Sequence, residues 1–430
     1  MKMNNLSKFF LSRINVLECI IIFFKIFGLA PFNVTISPKS DGGKQPSVFL
    51  VYSLKGNIYN IILSLVSSYL LIHYIRNFQK LEHYILDKWV IMGVLFVAPV
   101  IILYYCLKQQ ELIKIINQLS KLESKLVEQF NQSVPRNRKN MKYEIKLFTA
   151  QILFMIIYGV TVYMKFKKMS TLIIIFSGSI INILLFQYAL LINYINKRLT
   201  YMNELLSSLI MLYDVDNNYR DIIFITSTTQ DDMIFRTIIL VRELQRKLCE
   251  IFKSLSKFYS WPILIGVLLF CGRLIYFSFK FMESLFGTRI RFDIISLIKE
   301  PANVLKEIFI IVILTHHMNQ VTLEMRRTGE IIYKIMDRFS RHGGIQSELE
   351  QFSIEVLHRK IPNSVYGLFT IDGSLVTSIV RSTITYMVIL VQCFDVFDPA
   401  IRTENFSSIK IDKISSIQNR TISEYNMENS

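Results

Sequence analysis

Little in this chain supports disulfide pairing, catalysis or metal binding. Its five cysteines, Cys19, Cys106, Cys249, Cys271 and Cys393, are odd in number and form no Cys-x-x-Cys or close pair, so no disulfide framework is implied. Most lie in or beside apolar runs, where a free cysteine behaves as a small hydrophobe. There is no Gly-rich phosphate loop, no nucleophile elbow and no carboxylate pair at catalytic spacing. Neither an enzyme nor a cofactor is expected. His316 and His317 are adjacent, which on a helix sets them about 100° apart, and no Asp, Glu or Cys follows at the next turn, so no metal is expected. Charged residues make up only 19% of the chain, against about a quarter in soluble domains.

What is there is apolar. Hydrophobic residues reach 52% and aromatics 13%, with 32 Phe and 21 Tyr, and mean hydropathy is +0.37. Leu, Ile and Phe gather in blocks of roughly twenty, the length a helix needs to cross a ~30 Å hydrocarbon core. Seven spans are expected, over residues 57–75, 88–108, 146–166, 171–194, 259–281, 300–320 and a last one ending at Phe394. Residues 14–30 are apolar but interrupted by Glu18 and Lys25. They read as an amphipathic helix on the membrane or the bundle rather than as a cleaved signal.

The formal charge of +16 fits basic residues gathered in cytoplasmic loops. Nucleic acid is not an expected partner, because no basic stripe interleaves with aromatics. With the N-terminus inside, the inner segments carry more than twice as many Lys and Arg as the outer ones, including Arg136, Arg138, Lys139, Arg326 and Arg327. The expected class is therefore an all-α polytopic membrane protein with seven transmembrane helices. Its N-terminus is cytoplasmic, its C-terminus extracellular, and its last helix is broken into two halves. A G-protein-coupled receptor, the alternative with seven helices, has the opposite orientation. The third span here ends Val162-Tyr163-Met164-Lys165-Phe166, without an acidic-Arg-aromatic triplet, and the last span lacks Asn-Pro-x-x-Tyr.

The organisation follows from these spans. Residues 1–56 are a cytoplasmic segment, 57–320 hold spans one to six with long cytoplasmic helical extensions, 321–394 an anchor helix and the broken seventh helix, and 395–430 a polar extracellular tail. Leu112, Ile115, Ile116, Leu119, Leu122 and Leu126 recur at helical spacing, as do Met233, Ile238, Leu240, Leu244, Leu248 and Ile251. Spans two, four and six are thus expected to continue as helices into the cytoplasm.

In the last segment Asp372-Gly373-Ser374 signals a break, with a helix expected before it and another from Ser374 to Phe394. On the second, Ser378, Ser382, Thr385 and Gln392 share a face. Polar side chains on one face of a span line water or contact another helix. Asp395 and Asp398 follow, either as a cation-concentrating ring or as ordinary solvated charges. Arg273, Lys306 and Glu307 lie inside spans, where Arg273 and Glu307 either pair structurally or contact a ligand. Tyr158, Tyr163, Trp89, Tyr276 and Asn303 fall in the outer halves of their spans, where polar-tipped aromatics suit small ligands and also form interfacial belts. Asn405-Phe406-Ser407 and Asn419-Arg420-Thr421 are glycosylation sequons, available if the tail is outside.

Thr385-Tyr386, five apolar residues, Gln392 and nearby Phe394 resemble the signature that ends the final helix of insect gustatory receptors. Gly367-Leu368-Phe369, Ile371-Asp372 and Leu375 resemble the approach to it, and His317, Glu324 and Thr328 loosely resemble a further pattern of that family. Cys393 is a departure, since the family has Phe directly after Gln. The resemblance implies a ligand-gated non-selective cation channel of four subunits, as a homotetramer or a heteromer with related receptors, in the plasma membrane. Gln392, Val388, Thr385 and Asp395 would line the pore, and a small-molecule tastant (a sugar or bitter compound) would bind among spans two to six. Tyr158, Tyr276, Arg273, Asn303 and Glu307 are the ligand candidates. Met387 stands where the sugar-responding branch usually has Glu. An odorant receptor of the related insect superfamily is the alternative within channels.

Overall fold

A computed structural model of the chain describes residues 20–36, 48–76, 85–130, 138–166, 169–217, 227–286, 294–339 and 343–397. The glycosylation candidates Asn405 and Asn419, together with Cys19 and Asp398, lie outside the described residues.

A helix at residues 20–26 (α1) leads into a hairpin of β1 (Phe32–Ile36) and β2 (Val48–Tyr52), paired antiparallel with Phe32 opposite Tyr52. Helices follow: α2 (Leu54–Arg76), α3 (Ile85–Leu107), α4 (Gln109–Phe130), α5 (Arg138–Phe166), α6 (Met169–Asn217), α7 (Ser227–Phe286), α8 (Ile294–Arg338) and α9 (Gly343–Leu357). A second hairpin, β3 (Ser364–Val365) and β4 (Phe369–Thr370), precedes α10 (Gly373–Phe397).

Six of the described helices are long and apolar enough to cross a membrane: α2, α3, α6, α7, α8 and α10. The described part of α5 adds a shorter apolar stretch, Ile145–Val160. These seven coincide with the seven expected spans. The α6 helix is the axis of the bundle. Its most apolar stretch is 83% buried, against 11% for α2 and 17% for α10, and it packs most extensively on α8. A span with few partners inside its own protomer presents its apolar side chains to lipid or to another chain. On α2 these include Ile58, Ile62, Leu65 and Tyr69.

Below the bundle the long helices continue as a soluble-type layer. The α4 helix buries Leu112, Ile115, Leu119, Leu122 and Leu126 at the three- and four-residue spacing of one helical face, and packs on α7. The expected register along residues 233–256 needs one adjustment. The buried seam there is Ile234, Ile238, Val241, Leu244 and Leu248, while Met233 is exposed. This stretch is also the first half of α7, so it enters span five rather than extending span four, whose own extension ends at Asn217.

Polar pairs also lie inside this layer. Asn203 on α6 donates to the Glu324 carbonyl and carboxylate, both at 2.8 Å. Thr328 donates to Asn203 Oδ1 at 2.8 Å, and Gln245 on α7 donates to Thr328 Oγ1 at 2.9 Å. Three long helices are thereby fixed in register, because a buried polar group left without its partner is costly. At the edge, Arg198 pairs with Glu123 at 2.6 Å, joining α6 to α4. Arg242 of α7 clasps Glu348 (2.5 Å) and Glu355 of α9. The Arg242 guanidinium holds the Glu355 carboxyl below the usual carboxylate range.

The N-terminal turn is held by amides rather than by regular structure. Gly28 (φ +76°), Leu29, Ala30 and Pro31 are buried. Asn60 donates to the Gly28 carbonyl at 2.7 Å and Gln187 to that of Leu29 at 3.1 Å, while Gln109 donates to that of Pro31. Each donor satisfies a backbone group that burial would otherwise orphan.

One expected element is different. The residues immediately before Asp372-Gly373-Ser374 are not a helix but the β3–β4 hairpin. The preceding helix, α9, ends fifteen positions earlier, at Leu357. Pro362 disfavours helical backbone at Ile361. The turn itself needs left-handed backbone, which Tyr366 (φ 49°) and Gly367 (φ 73°) supply. The two halves of the last helical segment are therefore separated by a hairpin rather than by a simple kink.

Candidate ligand site and pore helix

Two places hold the residues singled out by the sequence. The first is a charged knot inside the bundle. Arg273 on α7 and Glu307 on α8 form an ion pair at 2.6 Å, with exposures of 2% and 0%. Arg273 also donates to the Gly178 carbonyl of α6 at 2.9 Å. Asn182, one turn further along α6, donates to Glu307 Oε1 at 3.3 Å. Lys306 reaches the same oxygen at 3.4 Å and sets its ammonium over the Tyr158 ring of α5, 3.8 Å from the centroid. Glu300 pairs with Lys299 at 3.0 Å and accepts from Asn303 at 3.4 Å.

Of the five ligand candidates, the structure thus brings Arg273, Glu307 and Tyr158 to one locus. Asn303 is buried beside it on α8, between Glu300 and Glu307 at helical spacing. Tyr276 sits one turn beyond Arg273 on α7, with its ring against Phe277. Trp89 is exposed on α3, as an interfacial aromatic would be, and the Tyr163 side chain lies outside the described ones. Sequence reasoning had noted Lys306 as a charge within a span without making it a ligand candidate, and it missed Asn182 and Glu300. Asn182 is a single amide in an apolar run; only the packing of α6 on α8 shows what it faces.

The second place is α10. Among its described side chains, Leu375, Ile379 and Thr383 are buried, with Val376, Met387 and Leu390 partly covered. At about 100° per residue, Thr385, Val388 and Gln392 fall on the opposite side, and all three are exposed. Thr385 returns its hydroxyl to the Arg381 carbonyl at 3.0 Å. Asp395 belongs to the same helix, and its side chain, like those of Cys393 and Phe394, lies outside the described ones. The helix starts at a firm cap. Asp372 accepts from the Ser374 backbone at 2.9 Å and from the hydroxyls of Ser374 and Thr370 at 2.5 and 2.8 Å. These bonds, with the Ser374 hydroxyl foremost, hold the Asp372 carboxyl below its ordinary range.

Between the two places lies a small apolar cleft, lined by Phe270, Leu274, Ile308, Ile311, Val376, Ile379 and Val380. Leu274 and Ile308 directly follow Arg273 and Glu307 in the chain.

A bundle of helices long and apolar enough to cross a membrane, with a buried charged knot and a last helix whose polar side is exposed among the described residues, defines a polytopic membrane protein. Residues 17–395 match the family described as 7tm chemosensory receptor, and the chain belongs to that family. Among curated proteins, it is 22% identical over 154 residues to putative gustatory receptor 28b and 25% identical over 157 residues to putative gustatory receptor 28a, both of Drosophila melanogaster. Each match covers 35% of this chain, and the chain spans about a third of either relative's length. Among solved structures, the insect olfactory receptor OR5 from Machilis hrabei superposes with a TM-score of 0.62 at 11% identity, covering 89% of this chain and 99% of that one.

Proposed function

We propose that this chain is a gustatory-type receptor of the plasma membrane, acting as a ligand-gated, non-selective cation channel assembled from four subunits. The N-terminus is inside and the C-terminus outside. The observation that carries this reading is the disposition of α10, whose Thr385, Val388 and Gln392 lie exposed on the side opposite its buried residues, among the described residues. An amide at membrane depth needs water or a partner, and a pore shared by several copies supplies both. Gln392 and Val388 form the constriction, with Thr385 and Asp395 along the same path. The ligand is a small-molecule tastant bound near Arg273, Glu307, Asn303, Tyr158 and Tyr276. It favours the open arrangement by binding it better, and a few kcal/mol of difference is enough to shift the population.

The test is whole-cell current in a heterologous cell with G-protein signalling blocked, under a panel of sugars and bitter compounds. A fast cation current is expected, and Gln392→Ala changes its conductance or gating at unchanged surface expression. A response that disappears under the block supports a G-protein-coupled receptor instead. Normal currents from Gln392→Ala remove that residue from the pore.

A further inference from the structure

Between Asp372 and Asp395 the chain carries a single charged residue, Arg381, and it stands inside the span that α10 contributes. Helix geometry fixes its side. At about 100° per residue, Arg381 lies about 20° from both Val388 and Gln392, about 40° from Thr385 and nearly opposite Ile379, the middle member of the buried stripe. It is exposed, as those three are. The flanks of this polar arc are apolar, with Val380 and Ile384 exposed on one side and Ile389 on the other. Along the axis, Arg381 sits seven residues, about 10 Å, inward of Val388.

The protomer supplies no counter-charge. Among the described residues, the Arg381 guanidinium makes no ion pair and donates no hydrogen bond. The nearest acidic residue in sequence, Asp372, is nine positions away, about 13 Å along the axis, and its oxygens are engaged at the helix cap. An arginine at membrane depth is costly in hydrocarbon and settles where water or a counter-ion reaches it. The apolar flanks of α10 offer neither, whereas a water-filled path on the Gln392 side offers both. Resting on the channel reading above, we propose that Arg381 sets the charge selectivity of this pore. Four copies place a ring of guanidinium groups in its inner half, on the cytoplasmic side of Val388 and Gln392. Acidic rings favour cations and rings of Arg or Lys favour anions. This ring therefore opposes the cation flux and holds small inorganic anions, chloride above all, at the inner mouth. The channel passes cations with a measurable chloride permeability, and Arg381 is the residue that limits its discrimination.

The experiment is whole-cell recording of the tastant-evoked current under a NaCl gradient, for wild type, Arg381→Lys, Arg381→Gln and Arg381→Cys at matched surface expression. The reversal potential reads the ratio of sodium to chloride permeability. Arg381→Gln is expected to raise that ratio about tenfold, the lower end of what charge of one sign lining a narrow passage does to local ion concentration. Arg381→Lys keeps the wild-type value. Arg381→Cys starts from the raised ratio. A cationic thiol reagent supplied to the cytoplasmic side through the pipette returns it toward wild type, and an anionic reagent does not. Each modified channel is compared with itself before modification, so folding is not at issue, and wild type with its native cysteines is the control. A ratio unmoved by Arg381→Gln and by both reagents overturns the proposal and leaves the channel standing. A second measurement needs no tastant. The full-length Arg381→Cys protein in lipid nanodiscs is treated with a membrane-impermeant thiol reagent, and its labelling is compared with that of wild type. Extra labelling puts position 381 in water, as expected. No extra labelling puts it in lipid or against a neighbouring chain and overturns the proposal. Extra labelling without any current under the tastant panel keeps Arg381 on a water-filled path and removes the ligand-gated reading.

Discussion

Removing Glu307 should damage this protein more than removing Arg273, although the two form one ion pair. Glu307→Leu strands two buried cations, since Arg273 and Lys306 both rely on the same carboxylate. Breaking a buried pair from one side costs about 3–5 kcal/mol, and here Lys306 adds to it. Arg273→Leu leaves Glu307 with Lys306 still at 3.4 Å. What remains is the loss of donors to Glu307 Oε1 and to the Gly178 carbonyl, about 1–3 kcal/mol for a buried group left unsatisfied. The double variant Arg273→Leu/Glu307→Leu has one stranded cation rather than two, so it should be more stable than Glu307→Leu alone. The assay is thermal unfolding of the detergent-purified protein, read as loss of the monodisperse species by size exclusion. The reasoning is refuted if Arg273→Leu is the costlier single change, or if the double variant loses the sum of the two.

Three further outcomes follow from other parts of the fold. Gly367→Val should lower stability by about 1–2 kcal/mol; a Cβ there meets nothing within 4 Å, so the effect is conformational, and an unchanged melting temperature would mean the hairpin turn is not as described. Asn203→Leu removes the amide that accepts from Thr328 and donates to Glu324, and should cost about 1–3 kcal/mol; Asn203→Leu combined with Thr328→Val should cost less than the sum, measured by the same unfolding assay. Glu355 has its carboxyl depressed in the folded state, chiefly by Arg242, so its contribution is complete above the unfolded carboxylate pKa of about 4.3 and fades as pH falls through the lower folded value; Arg242→Gln should flatten the acid limb of the stability–pH curve by about 1 kcal/mol at most, the scale of a part-exposed pair, and an unchanged acid limb would show that the clasp does not form.

Much of this architecture is already written in the order of residues. A run of about twenty apolar side chains has few options in a bilayer, because a helix satisfies every backbone group internally. The spans therefore appear where hydropathy puts them, and α4 buries the Leu112-to-Leu126 stripe that its spacing prescribes. The side of α10 that carries Ser378, Ser382, Thr385 and Gln392 was equally legible, since three- and four-residue spacing defines a face in any helix. Local chemistry was less decisive at residues 359–372. Pro362 and Gly367 are present to be read, yet the Asp372-Gly373-Ser374 break signal by itself suggests a helix on either side, and the left-handed pair at Tyr366 and Gly367 makes a hairpin.

Only the tertiary structure decided what meets what. Arg273, Glu307, Asn182 and Lys306 come from three helices and span 126 positions of sequence, and no periodicity links them. Their contact follows from how α6, α7 and α8 cross, which depends on the summed packing of many side chains. The same holds for Asn203, Gln245 and Thr328. The sequence by itself determined that this chain forms membrane-spanning helices and which side of each is apolar, because those are properties of a single helix in its solvent. The packing of helix on helix determined which charges share a carboxylate, because pairing is a property of distances that only the folded bundle sets.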